Sequence, residues 1–283
     1  MKKRYVGIII AVCLIVTIAI GFLCAFLLGI FFDRSSEPIE TETTWEAVET
    51  SSEITPAAIP ETTEETTTEK ETVDVSMYDN PTDRFLYSIT DIDTMILVIG
   101  DQYTINSGVL YYYEKVDGEW VCTFSDDAWC GSNGYSNATY EGDRTTPVGL
   151  FELGVAFGNN PNPGTALEWI DVNEHLYWVD DNTSKYYNQL IDDREVPTGW
   201  NSGEHLISYG RGYAYSINIE VNPPYETSAI FLHCHAGATS TAGCVGISEE
   251  GMVWILQNIK PDTRMAIVEY EEDLDNIDHL RED

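Results

Sequence analysis

The residues of this chain best suited to covalent chemistry are His233 and Cys244, which lie eleven positions apart near the C-terminal end. The thiolate is the reactive form of cysteine, and an adjacent imidazole can accept the thiol proton and stabilise the resulting ion pair. Gly243 directly precedes the cysteine, so a substrate carbonyl can approach the backbone there, and nearby N–H groups can hold a developing oxyanion. This combination predicts acyl transfer through a thioester, with Cys244 as nucleophile and His233 as base.

The segment that carries the histidine, residues 227–234, is predicted to be a strand because it is apolar and rich in β-forming residues. Side chains alternate between the two faces of a strand, so Phe231, His233 and His235 share one face, whereas Cys234 points to the other. A short loop can then return the chain and bring Cys244 beside His233. The alternation therefore predicts that Cys234 points into the core, away from the histidines.

Disulfide pairing is the main alternative for the cysteines. Outside the cytosol disulfides persist, and the short separation of Cys122 and Cys130 around a turn-rich stretch favours a local bridge between them. Cys234 and Cys244 could also form a structural pair, but the predicted strand faces oppose it without backbone distortion.

A zinc site is the alternative chemistry for the same segment. His233, His235 and Cys244 could supply three ligands, with water in the open position of a hydrolase. Acyl transfer by a thiol needs neither metal nor cofactor, and none is predicted for it.

The elements expected to position these residues are mostly strands. A two-residue turn, Asp117-Gly118, predicts a hairpin between residues 109–116 and 119–124. Ser248 is a good N-cap for a helix with an apolar stripe, and Pro261 is expected to end that helix. The other strands are predicted at residues 94–100, 149–153, 175–179, 213–221, 227–234 and 264–270. The fold class is therefore mainly β with a few helices.

Charge bears on the partners that the chain can have. The 283 residues include 48 acidic and 14 basic side chains, which gives a formal net charge of −34. Such a surface repels phosphate backbones, so nucleic acid is not a predicted partner.

An apolar run at residues 6–32 is long enough to cross a bilayer as one helix. The basic residues that precede it, Lys2, Lys3 and Arg4, predict a cytoplasmic N-terminus, which places the rest of the chain outside the membrane. The predicted organisation is a basic end and single-pass membrane anchor, a disordered Thr/Glu-rich linker, a folded extracellular domain and an acidic tail, at residues 1–33, 34–78, 79–270 and 271–283.

The ordered motifs of the chain resemble those of the L,D-transpeptidase catalytic-domain family. His233 matches the family's base, and the Thr241-Ala-Gly-Cys244 element matches its Ser/Thr-His-Gly-Cys signature. Upstream, residues 144–151 are similar to the Thr-Pro-x-Gly-x-Phe strand, and residues 213–222 are similar to the tyrosine-containing strand before the histidine. The resemblance covers about residues 92–268. Two positions depart from the family pattern: Ala242 replaces a second histidine and Gly246 replaces a common Arg or Asn.

The resemblance implies a β-sandwich and a two-step reaction on peptidoglycan stem peptides, which are the expected partner. Cys244 would attack residue three of a tetrapeptide and expel the terminal D-alanine, and an amine of a neighbouring stem would resolve the thioester into a 3→3 cross-link. His233 would act as base, Thr241 would orient its imidazole, and the N–H groups of Gly243 and Cys244 would form the oxyanion hole.

The same resemblance suggests substrate-binding residues, for which we expect Tyr213, Tyr215, Arg144 and His235. Each has a simpler explanation, since strand aromatics often belong to the core and Arg144 can pair with a nearby acid. Two other functions also remain open: L,D-carboxypeptidase activity if water resolves the thioester, and a wall-binding module without catalysis.

Overall fold

The computed structural model describes residues 74–221 and 225–277, which belong to one compact unit, Thr68–Asp283. The predicted anchor at residues 6–32 and nearly all of the predicted linker at 34–78 lie outside the described residues. None of the described helices is long and apolar enough to cross a membrane. The predicted location therefore rests on the sequence.

The described residues are mainly β, as predicted, with only a few helices. The two α-helices are α1 (Pro81–Ser88) and α2 (Glu249–Asn258), and two short 3-10 helices span Leu206–Tyr209 and Glu271–Asn276. The strands are β1 (Thr94–Asp101), β2 (Thr104–Val116), β3 (Glu119–Trp129), β4 (Tyr135–Ser136), β5 (Thr146–Pro147), β6 (Gly149–Gly158), β7 (Trp169–Asp171), β8 (Leu176–Val179), β9 (Leu190–Asp192), β10 (Gly203–His205), β11 (Ser216–Ile219), β12 (Phe231–Cys234), β13 (Val245–Ile247) and β14 (Arg264–Val268).

The main sheet of the described chain closes on itself. Its strand order is β11-β12-β13-β3-β2-β1-β14-β6-β7, and an additional pairing of β11 with β6 joins the first strand to the last but one. The first strand is thus hydrogen-bonded to the last strand but one, and the mainly β class of the predicted fold is confirmed. Closure gives the edge of β11 a partner, so the strands beside β12 are held on both sides.

The predicted hairpin is confirmed. Asp117 and Gly118 both have positive φ angles, 54° and 89°, as expected for the two-residue turn that suits the twist of paired strands. The ladder runs from Val116 opposite Glu119 to the far end of β3, where Trp129 pairs with Gly246 of β13. The hairpin therefore supports the strand that follows Cys244.

The two strands that flank the catalytic candidates run parallel. Leu232 of β12 lies opposite Val245 of β13, and His233 lies opposite Gly246. One step back along the same register, Cys244 lies beside Phe231. The β12–β13 pairing therefore brings Cys244 and His233 to the same face of the sheet, one side-chain position apart.

Side-chain burial confirms the predicted alternation on β12. Leu232 and Cys234 pack in one apolar cluster with Val245, whereas Phe231 and Cys244 pack in another cluster on the opposite face. All four cysteine thiols of the described residues are free, so the alternative Cys234–Cys244 disulfide is absent.

Helix α2 has the predicted N-cap. Ser248 Oγ accepts a hydrogen bond from the N–H of Gly251 at 2.9 Å and donates one to Asp126 of β3. Burial of Met252, Ile255 and Leu256 attaches the helix to the sheet, at about 1.5–3 kcal/mol for each side chain. The closing strand after the helix is also confirmed, as β14, which pairs in parallel with β1.

Two short helices of the structure are absent from the elements that the sequence predicts. Helix α1 is capped by Asn80, whose Oδ1 accepts from the N–H of Asp83 at 2.7 Å, and it buries Phe85. The 3-10 helix at Glu271–Asn276 buries Leu274 in the apolar cluster that also contains Phe85. The packed structure therefore continues past the predicted boundary at residue 270.

The predicted Cys122–Cys130 disulfide is wrong. Both residues belong to one extended segment: Cys122 lies on β3 and Cys130 directly follows that strand. At about 3.3 Å per residue, eight steps of strand separate their Cα atoms by about 26 Å, whereas a disulfide needs about 4–7 Å. The stretch predicted to be turn-rich is an extended strand, with one shift in its register opposite Tyr112 and Tyr113.

Cys122 is exposed and Cys130 is buried, so we expect iodoacetamide to label Cys122 in the native, unreduced protein and Cys130 only after denaturation. Substitution Cys122→Ser should change the free energy of unfolding by less than about 0.5 kcal/mol, because a surface thiol contributes little. Loss of a disulfide would cost about 2–5 kcal/mol. Recovery of a bridged peptide containing both residues by mass spectrometry would contradict the free thiols.

Candidate active site

The backbone before Cys244 is built to hold a glycine. Gly243 has a φ of 147°, which side chains rarely adopt. A Cβ atom there would lie 2.9 Å from Ile230 Cδ1 and 3.0 Å from the Thr145 carbonyl oxygen. The glycine thus permits the close passage of the chain that places the cysteine at the start of β13.

Two threonine hydroxyls fix this turn. Thr146 Oγ1 accepts from the N–H of Gly131 at 2.8 Å and donates to the carbonyl of Gly243 at 2.8 Å. Thr241 Oγ1 donates to the carbonyl of Cys244 at 2.6 Å and accepts from the N–H of Gly243 at 3.1 Å. Both ends of the Gly243–Cys244 peptide are therefore held by side chains.

These bonds correct two predicted roles. Thr241 orients the backbone of the nucleophile and not the imidazole of His233. The N–H of Gly243 is already bonded to Thr241 and is not a free oxyanion donor. The N–H of Cys244 itself remains as the donor beside the sulfur.

The thiol of Cys244 lies in an apolar setting with only 7% of the residue exposed. Its Sγ accepts from the N–H of Phe231 at 3.3 Å and donates to the carbonyl of Ala229 at 3.3 Å. Burial raises the pKa of the thiol well above its ordinary value, the nearby Glu204 carboxylate raises it further, and the N–H of Phe231 lowers it in part. The resting cysteine is therefore a neutral thiol.

The imidazole of His233 is held as a neutral base. Nδ1 lies 2.9 Å from the carbonyl oxygen of Cys234 and 3.3 Å from that of Gly212, so Nδ1 carries the proton and Nε2 is free to accept one. Burial lowers the pKa of His233, and the two carbonyls partly oppose that effect. No hydrogen bond joins His233 to Cys244 in the described structure, although the two share one face of the sheet.

A cleft of about 420 Å³ opens onto Cys244. Its lining contains three carboxylates, Glu141, Asp180 and Glu204, and a single basic side chain, Arg144. One carboxylate oxygen of Asp180 is buried without a hydrogen-bond partner among the described residues. The cleft is therefore acidic and suits a cationic group better than an anionic one.

The other predicted substrate-binding residues separate into different places. Tyr213 is 3% exposed, and its ring meets the ring of His233 edge-on with the centroids 5.3 Å apart. Tyr215 packs instead with Trp169 against the cluster on the opposite face. His235 accepts the N–H of Gly237 within its own turn at 3.0 Å. None of these three residues lines the cleft, and Tyr213 instead packs against the imidazole of His233.

Arg144 does line the cleft, as predicted, and its simpler explanation fails. The neighbouring Asp143 accepts from Thr145 and Tyr140, and Arg144 forms no ion pair with a described residue. The alternative zinc site is not assembled either: no group of three His, Cys, Asp or Glu side chains in the described chain is close enough to hold a metal ion.

Glu204 is the site residue that the sequence did not reveal. It lies on β10, lines the cleft beside Cys244 and accepts a hydrogen bond from the hydroxyl of Tyr213. Burial raises the pKa of Glu204 to about 7. No motif surrounds Glu204 in the sequence. Its role depends on its contacts with Tyr213 and the cleft, and residue periodicity does not predict those contacts.

The Thr146 hydroxyl, which is completely buried, provides a stability test of the turn. Substitution Thr146→Val keeps the side-chain shape but leaves the Gly131 N–H and the Gly243 carbonyl without their partner. We expect the free energy of unfolding to fall by about 1–3 kcal/mol, measured by urea denaturation. The matched control is Thr145→Val, since that hydroxyl bonds only to the partly exposed Asp143, and its effect should be smaller. Equal effects of the two variants would contradict the role of Thr146.

Comparison with known proteins gives a family match and a set of distant structures. Residues 101–267 match the family model YkuD, described as the L,D-transpeptidase catalytic domain. This range contains the strands that carry His233 and Cys244. A search of curated proteins finds no match.

Three solved structures illustrate the structural similarity. Bd1075 of Bdellovibrio bacteriovorus is 14% identical, with 66% of this chain and 55% of that chain covered and a TM-score of 0.35. L,D-transpeptidase 1 of Mycobacterium tuberculosis is 13% identical, with 62% of each chain covered and a TM-score of 0.27. An L,D-transpeptidase of Stackebrandtia nassauensis is 12% identical, with 64% and 58% covered and a TM-score of 0.29. The chain thus spans 55% to 62% of the length of these proteins.

Proposed function

Because this chain belongs to the L,D-transpeptidase catalytic domain family, we propose that it is a peptidoglycan L,D-transpeptidase that acts through a thioester on Cys244. The observation that carries the proposal is the β12–β13 register, which puts a free thiol and a neutral imidazole on one face of the sheet, with the thiol lining an open cleft. The substrate is a tetrapeptide stem, and the product is a 3→3 cross-link between two stems.

The first step forms the acyl-enzyme. Nε2 of His233 takes the proton of the Cys244 thiol as the sulfur attacks the carbonyl of stem residue three. The N–H of Cys244 stabilises the oxyanion that develops. The bond to the terminal D-alanine breaks, and the leaving amine takes the proton from His233.

The second step regenerates the thiol. An amine of a neighbouring stem attacks the thioester carbonyl, His233 accepts its proton, and that proton passes to the departing sulfur. If water attacks in place of the amine, the product is a tripeptide and the enzyme is an L,D-carboxypeptidase. The three carboxylates of the cleft attract a stem amine in its cationic form, which loses one proton to solvent before it attacks the thioester, and for that reason we propose transpeptidation.

The proton transfer is coupled to attack and does not precede it. A raised thiol pKa and a lowered imidazole pKa both favour the neutral pair over a resting thiolate–imidazolium pair. The proton is therefore transferred when the substrate carbonyl is in place. Catalytic hydrogen bonds are often absent before substrate binds, which agrees with the separate bonds of Cys244 and His233 in the free protein.

We further propose that the reaction takes place outside the cell membrane. The support is the sequence alone, in which basic residues precede the apolar run at 6–32 and an acidic, Thr-rich stretch follows it. Such a stretch can carry the catalytic domain toward the wall polymer.

The experiment is an incubation of the detergent-solubilised chain with a diaminopimelate-containing tetrapeptide, followed by analysis of both products. The proposal predicts free D-alanine together with a cross-linked dimer. Release of D-alanine with only tripeptide would identify a carboxypeptidase. Release of no D-alanine would remove both activities and leave a wall-binding module.

A further inference from the structure

A partly buried carboxylate, Glu204, joins two tyrosines to the catalytic face. Tyr213 Oη donates a hydrogen bond to Glu204 Oε2. The two tyrosine rings stack on each other with centroids 4.3 Å apart and an angle of 12° between their planes. The carboxylate therefore holds Tyr213, and the ring stacking links Tyr213 to Tyr209. Residues 209–213, here called the 209–213 loop, begin at the last residue of the 3-10 helix Leu206–Tyr209.

The 209–213 loop contacts His233 in two ways. The carbonyl of Gly212 lies 3.3 Å from Nδ1 of His233 and helps to keep the proton on that nitrogen. The ring of Tyr213 packs edge-on against the imidazole, with a centroid distance of 5.3 Å and an angle of 79°. The first contact adds to the shorter bond between Nδ1 and the Cys234 carbonyl, and the second orients the ring plane, so displacement of the loop would weaken the hold on the Nδ1 proton and release the ring.

Glu204 also faces Cys244, because both residues line the same cleft. In its ionised form Glu204 opposes ionisation of the thiol, which burial already disfavours, and so contributes to the neutral resting state of Cys244. No motif in the sequence assigns this residue, and the general acid–base steps of the proposed reaction do not use it.

We propose that Glu204 is a positioning residue that holds the 209–213 loop through Tyr213 and thereby strengthens the hold on the Nδ1 proton of His233 and fixes the ring plane of His233 toward Cys244. This inference rests on the proposed function for its catalytic consequence. Its structural content, the control of the His233 imidazole, is independent of the substrate.

The test compares two substitutions of Glu204 in the full chain. Glu204→Gln removes the charge but keeps an oxygen that accepts from Tyr213, whereas Glu204→Ala removes both. Tyr213→Phe breaks the same bond from the other side and keeps the ring. The matched control is Glu119→Ala, which removes another carboxylate bonded to a tyrosine, Tyr87, neither of which lines the cleft.

Three measurements separate positioning from general damage. Solvent exchange of the His233 Nδ1 proton, followed by NMR, should accelerate at least about tenfold in Glu204→Ala and Tyr213→Phe and little in Glu204→Gln. Acylation of Cys244 by a carbapenem, which traps such thiols, should slow at least about tenfold in the same two variants. Alkylation by iodoacetamide needs no imidazole and should become faster in both Glu204 variants, because a negative charge beside the thiol has been removed.

The outcomes distinguish the two proposals. The positioning role would be overturned if the His233 Nδ1 proton exchanged no faster in Glu204→Ala than in Glu119→Ala. It would also be overturned if Glu204→Gln and Glu204→Ala slowed acylation of Cys244 equally. If the unmodified chain is not acylated at all, the proposed function fails, and proton exchange alone then decides whether Glu204 controls His233.

Discussion

Replacing Cys244 with alanine abolishes both D-alanine release and cross-link formation, with a rate reduced at least about 10⁴-fold. The sulfur of Cys244 is the only protein atom that bonds covalently to the substrate in the proposed mechanism. Neither the cleft nor His233 can therefore compensate for its loss. The measurement is the release of D-alanine from a diaminopimelate tetrapeptide. The stability cost should be modest, about 1 kcal/mol, since alanine leaves a small gap in the cluster around Phe231.

The matched control for this substitution is Cys130→Ala. Cys130 is a fully buried cysteine with a free thiol, and it belongs to the apolar cluster that contains Leu232 and Cys234. Its removal should therefore have a similar packing cost and should not affect the reaction. We expect normal turnover from this control. Turnover by Cys244→Ala above a thousandth of the unmodified rate would show that another group attacks the substrate.

Substitution of His233 by asparagine has the second largest expected effect. The asparagine amide can still donate to the Cys234 carbonyl, as Nδ1 does at 2.9 Å, but it supplies no base in place of Nε2. General-base catalysis is typically worth about 10²–10⁴-fold, and we expect D-alanine release to fall by that factor. Alkylation of Cys244 by iodoacetamide should remain close to normal.

The pH profile provides the specific signature of this base. The imidazole must be neutral to accept a proton, and burial lowers its pKa below the ordinary 6.5. Activity of the unmodified chain should therefore persist to a lower pH than an ordinary histidine allows, and it should fall as the pH drops through the lowered value. His233→Asn should lack that acid limb.

A second histidine serves as the control for His233. His175 bonds through Nδ1 to Asp193 at 2.8 Å and lies on the loop before β8, outside the cleft. His175→Asn should keep both the rate and the acid limb. An acid limb that survives in His233→Asn and disappears in His175→Asn would contradict the assigned base.

Local patterns predicted the parts of the site that depend on one or two neighbouring strands. Alternation along β12 was sufficient to separate Cys234 from His233, and the Asp117-Gly118 turn was sufficient to define the hairpin. The cap at Ser248 likewise marked the start of α2. Each of these features follows from the chemistry of residues that are close in sequence.

The features that the sequence did not reveal depend on distant contacts. Closure of the sheet requires β11 to pair with β6, and periodicity within either strand contains no information about that partner. Glu204 has its role only because the folded chain brings the hydroxyl of Tyr213 within hydrogen-bond distance of its carboxylate. The oxyanion role predicted for the Gly243 N–H fails because this group donates to the Thr241 side chain, a bond that a backbone pattern does not reveal.

The most direct test of the account is to trap the reaction of the unmodified chain with the tetrapeptide in acid and identify the modified peptide by mass spectrometry. The account predicts a stem tripeptide attached to Cys244 through a bond that hydroxylamine cleaves, as a thioester requires. D-alanine release with no adduct on Cys244, or with an adduct on another residue, would contradict the central claim that Cys244 is the nucleophile.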